Sequence, residues 1–571
     1  MTEQEYLQKI HELEKQVLRL QTEIKKNSET QYGLRWMDVP EAFEAEAENA
    51  IPTLEEVKEK AISNDDGKPT HILIEGDNFH ALTCLNYTHK GQIDVIYIDP
   101  PYNTGKDGFV YKDKRVLDKF PDGTIVPTDH PLRHSYWLSF MHKRLELAKN
   151  LLSKRGVIFI SIDDNEQANL RLLCNQVFGE NNFVCTIIWQ TKKEAKGIPP
   201  RTMCVTNHEY ILAYSKDENY RFIGDLRKIE DGFSNPDNDP RGAWKRQYLQ
   251  RFGQGFSEKT IINPFNGMAF TFETPYTVEK MQRWINEGII IFPISSEKFP
   301  ARKEYFSEYE NPYKPIVTNF GLYSTKVNSE NLKAIFSDEK VFDYSKPTDL
   351  MADLLRRACS NTSIILDFFA GSGTTMHATM QLNEEDGGHR QCILVQQNEN
   401  NICEAVTYER NKRVMQGYTN SKKEYVPGLG NSMKYYRTAF VGEHKITDIT
   451  DADKVDLTQK AGCLLALGEN TLEEIKIAKS YQIFQLRKGD KPTNDFGYTA
   501  VYFSGNLTHF ADFRREIEQI QTANPLTRIA VYVFTWGDPS VFENEFDDLS
   551  GITIKPIPQP ILEIYQNIHQ L

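Results

Sequence analysis

Residues 93–105 read IDVIYIDPPYNTG, an apolar run that stops abruptly at Asp99-Pro100-Pro101-Tyr102. Ile93, Val95, Ile96, Tyr97 and Ile98 leave hardly any polar face, the pattern of a strand buried on both sides in a parallel sheet. The prolines end it, because each lacks an N–H and has a fixed φ, so neither extends a ladder. Open α/β sheets place their ligand sites beyond the carboxyl ends of such strands. The stretch therefore predicts an α/β fold that presents Asp99 and Tyr102 rigidly at an active-site rim.

The neighbouring sequence keeps the α/β rhythm. HILIEGD reads as a strand, FHALTCLNY as a helix, and IDVIYID as the next strand. Residues 103–134 are polar with Gly and Pro throughout, which predicts a long mobile loop of the functional kind. SYWLSFMHKRLELAKNLL is an amphipathic helix, followed by strand GVIFISI. Asp164 with Gln167 three residues on predicts a capping box opening the next helix. The rhythm is lost over 190–340, where aromatics, Asn, Pro and Gly interleave with Arg241, Lys245, Arg246 and Arg251; this reads as an inserted domain. It returns with a helix at 346–360, strand SIILDFF, a glycine-rich loop, helix MHATMQL and strand CILVQQNE. After about residue 440 a further small α/β pattern follows.

The 571 residues exceed what one core holds. No apolar run approaches a membrane span, and the charged N-terminus lacks a signal-peptide core, so a cytoplasmic location is expected. Eight cysteines without a C-x-x-C pair argue against a zinc site or disulfide framework. The net charge of −13 argues against a nucleic-acid partner only until its distribution is read. Residues 1–70 and 441–571 each carry −7, whereas 191–340 carry +2. A local basic surface matters more for DNA than the total does. Tyr6, Ile10, Leu13, Val17, Leu20 and Ile24 form a short a/d seam, read either as a dimerising coiled coil or as a helix packed on its own domain.

The second chemical stretch is DFFAGSGTT, 367–375. It is no dinucleotide fingerprint, since G-x-G-x-x-G needs a glycine at Met376, and no P-loop, since Gly-Lys-Ser/Thr is absent. Gly371 and Gly373 still imply close approach to the backbone. Glu399, at the end of the next strand, lies near the distance at which an acid takes ribose hydroxyls. A nucleoside ligand without phosphates fits, with S-adenosylmethionine the leading candidate. Alone, the motif reads equally well as a turn serving strand–helix packing.

Asp-Pro-Pro-Tyr together with Phe-x-Gly-x-Gly resembles the amino-group DNA methyltransferases, and their order here resembles the permuted β class of those enzymes. GDNFHAL (76–82), the WLSFM helix, NHEYILAYSK (207–216) and the helix opened by Lys346-Pro347 look like its further motifs. Length and layout resemble the modification subunit of a type III restriction system or a solitary relative. Phe368 departs from the family pattern, which usually has proline there.

The resemblance implies a Rossmann-like S-adenosylmethionine-dependent methyltransferase sheet from 61–190 and 341–440. The resemblance covers 71–220 and 341–410; the residue pattern itself predicts a target recognition domain at 191–340, a C-terminal α/β domain at 441–571, and an N-terminal helix and acidic linker at 1–60. The resemblance assigns catalysis to Asp99, Pro100, Pro101 and Tyr102. Cofactor binding falls to Asp77, Lys346, Asp367, Phe369, Ala370, Gly371, Ser372, Gly373, Thr374 and Glu399, and Asp77 reads equally as a turn or helix cap. DNA binding is expected at Arg241, Lys245, Arg246 and Arg251, with no metal. The implied reaction methylates adenine N6 in a specific double-stranded sequence; N4 of cytosine and an RNA amino group are the alternatives. A homodimer and a helicase-nuclease restriction subunit are the further partners it suggests.

Overall fold

In a computed structural model of the chain, the described residues are 34, 36–38, 50–104, 115–116, 119–120, 123–127, 130–193, 203–295, 297–337, 339–420, 422–505, 507–536, 542 and 544–569. The coiled-coil seam at 6–24 and much of the loop expected at 103–134 lie outside them. The chain divides into two compact units, Met1–Arg221 with Val317–Leu571, and Phe222–Ile316.

The first unit is built on a ten-stranded sheet. Its strands are β1 (Ile51–Glu56), β2 (Thr70–Glu75), β3 (Ile93–Ile98), β4 (Leu152–Ile162), β5 (Phe183–Gln190), β6 (His208–Ser215), β7 (Asn319–Leu322), β8 (Ile364–Asp367), β9 (Gln391–Gln396) and β10 (Ser432–Val441). They lie in the order β1-β10-β2-β9-β8-β3-β4-β6-β5-β7. From β10 to β4 every pairing is parallel; β6 runs antiparallel to both of its neighbours, and β1 runs antiparallel to β10. Strand order reverses between β8 and β3, which are direct neighbours with Ile365 opposite Val95 and Leu366 opposite Ile96. That is the switch point where an α/β sheet opens a crevice.

The opening stretch folds as its composition dictates. Ile93, Val95, Ile96 and Ile98 of β3 are completely buried, each contributing about 1.5–3 kcal/mol over an exposed position. Helices 78–88 and 135–151 supply Leu82, Leu85, Leu138 and Leu145 to the same core.

Three expectations are corrected. First, 51–56 is a buried edge strand rather than linker; its acids, Glu55 and Glu56, sit at its end, after the apolar residues that enter the core. Second, no capping box opens helix Gln167–Phe178, whose N-cap is Glu166 without a side-chain cap bond; Asp164 instead accepts from the Tyr210 hydroxyl at 2.8 Å. Third, the compact insert is 222–316, narrower than 191–340, because β6 and β7 hydrogen-bond into the main sheet on either side of it.

Residues 441–571 carry a five-stranded sheet of their own. They do not stand apart, however: Leu457, Leu464, Ile561 and Tyr565 enter the same core as Leu82 and Leu85. Among the described residues no helix is long and apolar enough to cross a membrane.

The insert has its own small core of Trp244, Leu249, Ile261, Phe270, Phe272, Met281 and Trp284. It holds a hairpin of Ser257–Ile262 with Ala269–Thr274 and a helix, Val278–Asn286, capped by the Thr277 hydroxyl.

Candidate active site

Because β8 and β3 are adjacent and parallel, the loops leaving them share one edge of the sheet. Asp99–Tyr102 and the loop residues Phe368–Ser372 and Thr374 accordingly line a single cleft of about 360 Å³, within the range of ligand sites. Asp77, Asp99, Pro100, Pro101, Tyr102, Lys346, Asp367, Phe369, Ala370, Gly371, Ser372, Thr374 and Glu399 all border it. Gly373 does not. Tyr97, Arg115, Phe140, Trp189, Glu209 and Phe342 also border it and were not singled out from the sequence.

The Asp99 carboxylate is the centre of the constellation. Lys346 donates to Oδ1 and Oδ2 at 2.8 and 2.7 Å, and the Tyr102 hydroxyl donates to Oδ1 at 2.8 Å. Tyr102 also reaches Glu209 Oε2 at 3.2 Å, and Lys346 lies 3.5 Å from the same oxygen. Lys346 is thus a bridge between two acids on the wall of the cleft where cofactor binding was expected of it. Burial alone would depress its ammonium, but the Asp99 and Glu209 carboxylates outweigh that and raise its pKa. Burial raises the Glu209 carboxyl, with Lys346 pulling it back and Asp99 pushing it further up. With both acids ionised, two carboxylates and one ammonium leave a net charge of −1. That is the sign suited to a cation developing beside Asp99. About a quarter of the Asp99 side chain (27%) stays exposed, so a substrate group can reach it.

The prolines are fixed from behind. Trp137, wholly buried, donates its indole N–H to the Pro101 carbonyl at 2.7 Å. The Pro100 carbonyl accepts no hydrogen bond among the described residues. Just beyond, Asn103 and His134, at the two ends of the 103–134 loop, converge on Glu166 at 2.7 and 2.5 Å.

The glycine loop separates into two roles. Gly371 has φ +52°, donates to Gln396 Oε1 at 2.7 Å, and a Cβ there would meet Phe342 at 3.4 Å and the Phe369 carbonyl at 3.9 Å, both ordinary contacts. At Gly373, φ is +75°, and a Cβ would lie 2.3 Å from Asn411 Nδ2 and 3.2 Å from the Thr407 carbonyl. The space at Gly373 is therefore consumed by packing against the 403–416 helical segment, which corrects the expectation that a ligand needs it. Asp367 accepts from the Phe369 amide at 3.0 Å and the Thr375 hydroxyl at 2.6 Å; burial pushes its pKa up to about 7.

Asp77 takes the structural alternative while still bordering the cleft. It caps helix 78–88 through the Phe79 amide at 2.8 Å. Glu399 is exposed in a short turn, three residues past β9 rather than at its end. Phe368 is buried and packs 5.3 Å from Phe369, so an aromatic pair fills the position expected for proline.

In the insert, the basic cluster is partly consumed by acids. Arg241 is held by Asp239 at 2.8 Å, and Lys245 lies 3.5 Å from Glu304. Arg246 and Arg251 are exposed and form no ion pair among the described residues. The compact insert has as many acidic as basic side chains, so its net charge is zero rather than positive. The exposed aromatics Tyr248, Phe252 and Phe265 belong to the same unit.

Comparison with known proteins agrees with this geometry. The chain is 36% identical over 351 residues to the type III restriction-modification enzyme StyLTI Mod subunit of Salmonella typhimurium, covering 58% of this chain and 53% of that protein. It is 32% identical to the EcoPI Mod subunit of Escherichia phage P1, over 65% of this chain and 64% of the relative. The type II methyltransferase M.KpnI of Klebsiella pneumoniae is 30% identical over 67% of this chain and 93% of its own length. The chain thus spans between half and two thirds of the length of the two Mod subunits. The profile described as DNA methylase matches residues 93–420, a span that opens on β3 and encloses both cleft loops; the chain belongs to the DNA methylase family.

Proposed function

We propose that the protein transfers a methyl group from S-adenosyl-L-methionine to N6 of adenine within a specific double-stranded DNA sequence. The observation that carries this reading is the shared cleft. An acidic Asp-Pro-Pro-Tyr rim and a glycine loop emerge from adjacent parallel strands and face one another.

The side chains fit the methyl donor. Glu399, Phe369, Ile402 and Asp367 border the cleft; in this reading Glu399 takes the ribose hydroxyls, Phe369 and Ile402 the apolar surface, and Asp367 an ammonium. When bound, the sulfonium supplies a methyl group already activated for displacement. The protein's part is to position and polarise the acceptor. An exocyclic amino group is a poor nucleophile because its lone pair is delocalised into the ring. Hydrogen bonds from that NH₂ to the Asp99 carboxylate and the Pro100 carbonyl draw it toward tetrahedral geometry and stabilise its developing charge. Trp137 keeps the proline segment from yielding. The Tyr102 ring offers a stacking surface for a base swung out of the duplex, which the buried target atom requires. Orientation then carries much of the remaining barrier.

The insert reads the sequence in this scheme, with Arg246 and Arg251 on phosphates and the exposed aromatics and amides available to base edges. Similarity to Mod subunits supports a restriction subunit as a partner, and a homodimer belongs to the same proposal.

The test is direct. The protein is incubated with methyl-labelled S-adenosylmethionine and, in parallel, DNA or RNA, and the nucleic acid is digested to nucleosides. N6-methyladenine is expected. Label in 4-methylcytosine, or in RNA in preference to DNA, overturns the assignment.

A further inference from the structure

Tyr102 has one hydroxyl proton and two carboxylates within reach of it. Its oxygen lies 2.8 Å from Asp99 Oδ1 and 3.2 Å from Glu209 Oε2. A hydroxyl donates one proton and accepts through two lone pairs. With both acids ionised, one of these contacts sets oxygen against oxygen with no proton between them. The three oxygens are fully hydrogen-bonded only when the site holds one proton more. The row then runs from an acid on Asp99, donating to Tyr102, to Tyr102 donating to Glu209.

The reaction proposed for the cleft releases one such proton. Displacement joins the amino nitrogen to the methyl carbon, with the carbon–sulfur pair staying on sulfur, and leaves the nitrogen positively charged. Conjugated to the base ring, that nitrogen holds its extra proton poorly, so the proton leaves as the bond forms. Asp99 is the first acceptor. Lys346 occupies both of its oxygens, and its open side borders the cleft that the base fills, so the Tyr102 hydroxyl is its remaining outlet. Lys346 takes no proton, since an ammonium has three donors and no lone pair.

Glu209, on β6, stands beyond the hydroxyl with 24% of its side chain exposed. Four titratable groups face it: Asp99 and Tyr102 after β3, Asp163 after β4, and Lys346 ahead of helix 348–358. Trp189 of β5 lies opposite it in register and carries no charge. Burial raises the Glu209 carboxyl most, Lys346 and Tyr102 oppose, and Asp99 and Asp163 add to the rise. The balance favours taking up a proton more readily than an ordinary glutamate does.

We propose that Glu209 receives, through the Tyr102 hydroxyl, the proton that the methylated amino nitrogen gives up to Asp99. The proton on Asp99 passes to the Tyr102 oxygen as the Tyr102 hydroxyl proton passes to Glu209. Asp99 is again a carboxylate, Tyr102 again a neutral hydroxyl, and Glu209 a neutral acid. Charge balances, because the positive charge that arrives on the sulfonium is cancelled by the negative charge that Glu209 loses. Glu209 acts at one remove from the base and holds the proton until water re-enters the cleft. The inference rests on the methyl-transfer reading and adds to it the destination of the proton.

Single-turnover transfer at saturating DNA and S-adenosylmethionine, with small anions added, tests it. Glu209→Ala should slow transfer about 10²-fold. Formate, small enough for the vacated space, should restore much of the rate. Nitrate, an anion of the same shape that is a far weaker base, should not. Tyr102→Phe keeps the stacking ring, should be slowed to a similar extent, and should abolish formate rescue when combined with Glu209→Ala. Equal rescue by nitrate would reduce Glu209 to a source of charge and overturn the proposal, as would a native rate in Tyr102→Phe. Infrared spectra of the free protein give a readout without turnover. The protonated-carboxyl band that Glu209→Gln removes should be absent at neutral pH and appear on acidification; its presence at neutral pH means that the acceptor is already filled, and overturns the proposal even if Glu209→Ala fails to fold. If the native protein methylates nucleic acid and Glu209→Ala is as fast, this inference alone falls. If the native protein methylates none, the methyl-transfer reading falls, and this inference with it.

Discussion

Lys346 Nζ closes on both oxygens of Asp99, at 2.8 and 2.7 Å, while lying 3.5 Å from Glu209. The proposed base acceptor is therefore engaged before any base arrives. A carboxylate has about four acceptor positions, so an incoming amino group shares Asp99 rather than displacing the lysine. Glu209 offers the ammonium a second seat.

Asp99→Ala should abolish methyl transfer, by at least about 10³-fold in kcat, while S-adenosylhomocysteine affinity stays within a few-fold of native. Single-turnover transfer and calorimetry measure the two quantities. Equal losses in both would assign Asp99 to the cofactor instead.

Glu209→Gln removes the second of the two acids that Lys346 bridges. Its expected signature is a lower kcat with cofactor affinity retained, since Glu209 faces the Lys346–Asp99 ion pair. Lys346→Met leaves two carboxylates together in a largely buried site. It should cost about 3 kcal/mol of stability, visible in denaturant unfolding. Unchanged stability would mean that one acid is protonated in the native protein.

Asp367 gives a pH dependence. Its folded pKa is raised to about 7 by burial, so the folded state holds a proton that the unfolded state has already lost above its own, lower pKa. Stability from this group is therefore present at acid pH and declines as pH rises toward 7. Cofactor affinity should run the other way, increasing through pH 7 as the carboxylate becomes available to an ammonium. Titrating S-adenosylhomocysteine binding from pH 5.5 to 8.5 checks this, and Asp367→Asn should flatten the profile.

Gly371→Ala and Gly373→Ala should differ. The second drives a methyl into Asn411 and the Thr407 carbonyl and should cost roughly 3 kcal/mol, against about 1 kcal/mol of backbone strain for the first. Thermal unfolding ranks them, and a larger shift for Gly371→Ala would refute the packing role of Gly373.

Arg246→Ala and Arg251→Ala should each weaken DNA binding across all sequences and lower the salt slope by about 1. Arg241→Ala should leave that slope unchanged, because its guanidinium is already committed to Asp239.

The sequence carried the chemistry further than the boundaries. The β3 stretch announced itself because an all-apolar run ending in two prolines has few other readings, and the glycine loop followed from its spacing. Glu209 was harder. It sits in β6 within NHEYILAYSK, where an acid at a strand end looks like any solvated position until the fold brings it against Lys346. Strand β1 was concealed by its acids, and the basic cluster misled because sequence does not show which arginines a nearby carboxylate has claimed.

The insert occupies 222–316, and the strands bordering it, β6 and β7, both pair with β5, one on each side. Every side chain of the Asp99 constellation lies outside that interval. A single recombination event with crossovers near 222 and 316 would exchange the whole segment and leave the reaction chemistry untouched. If the insert reads DNA, a lineage can change the sequence it marks in one generation, without passing through an inactive enzyme.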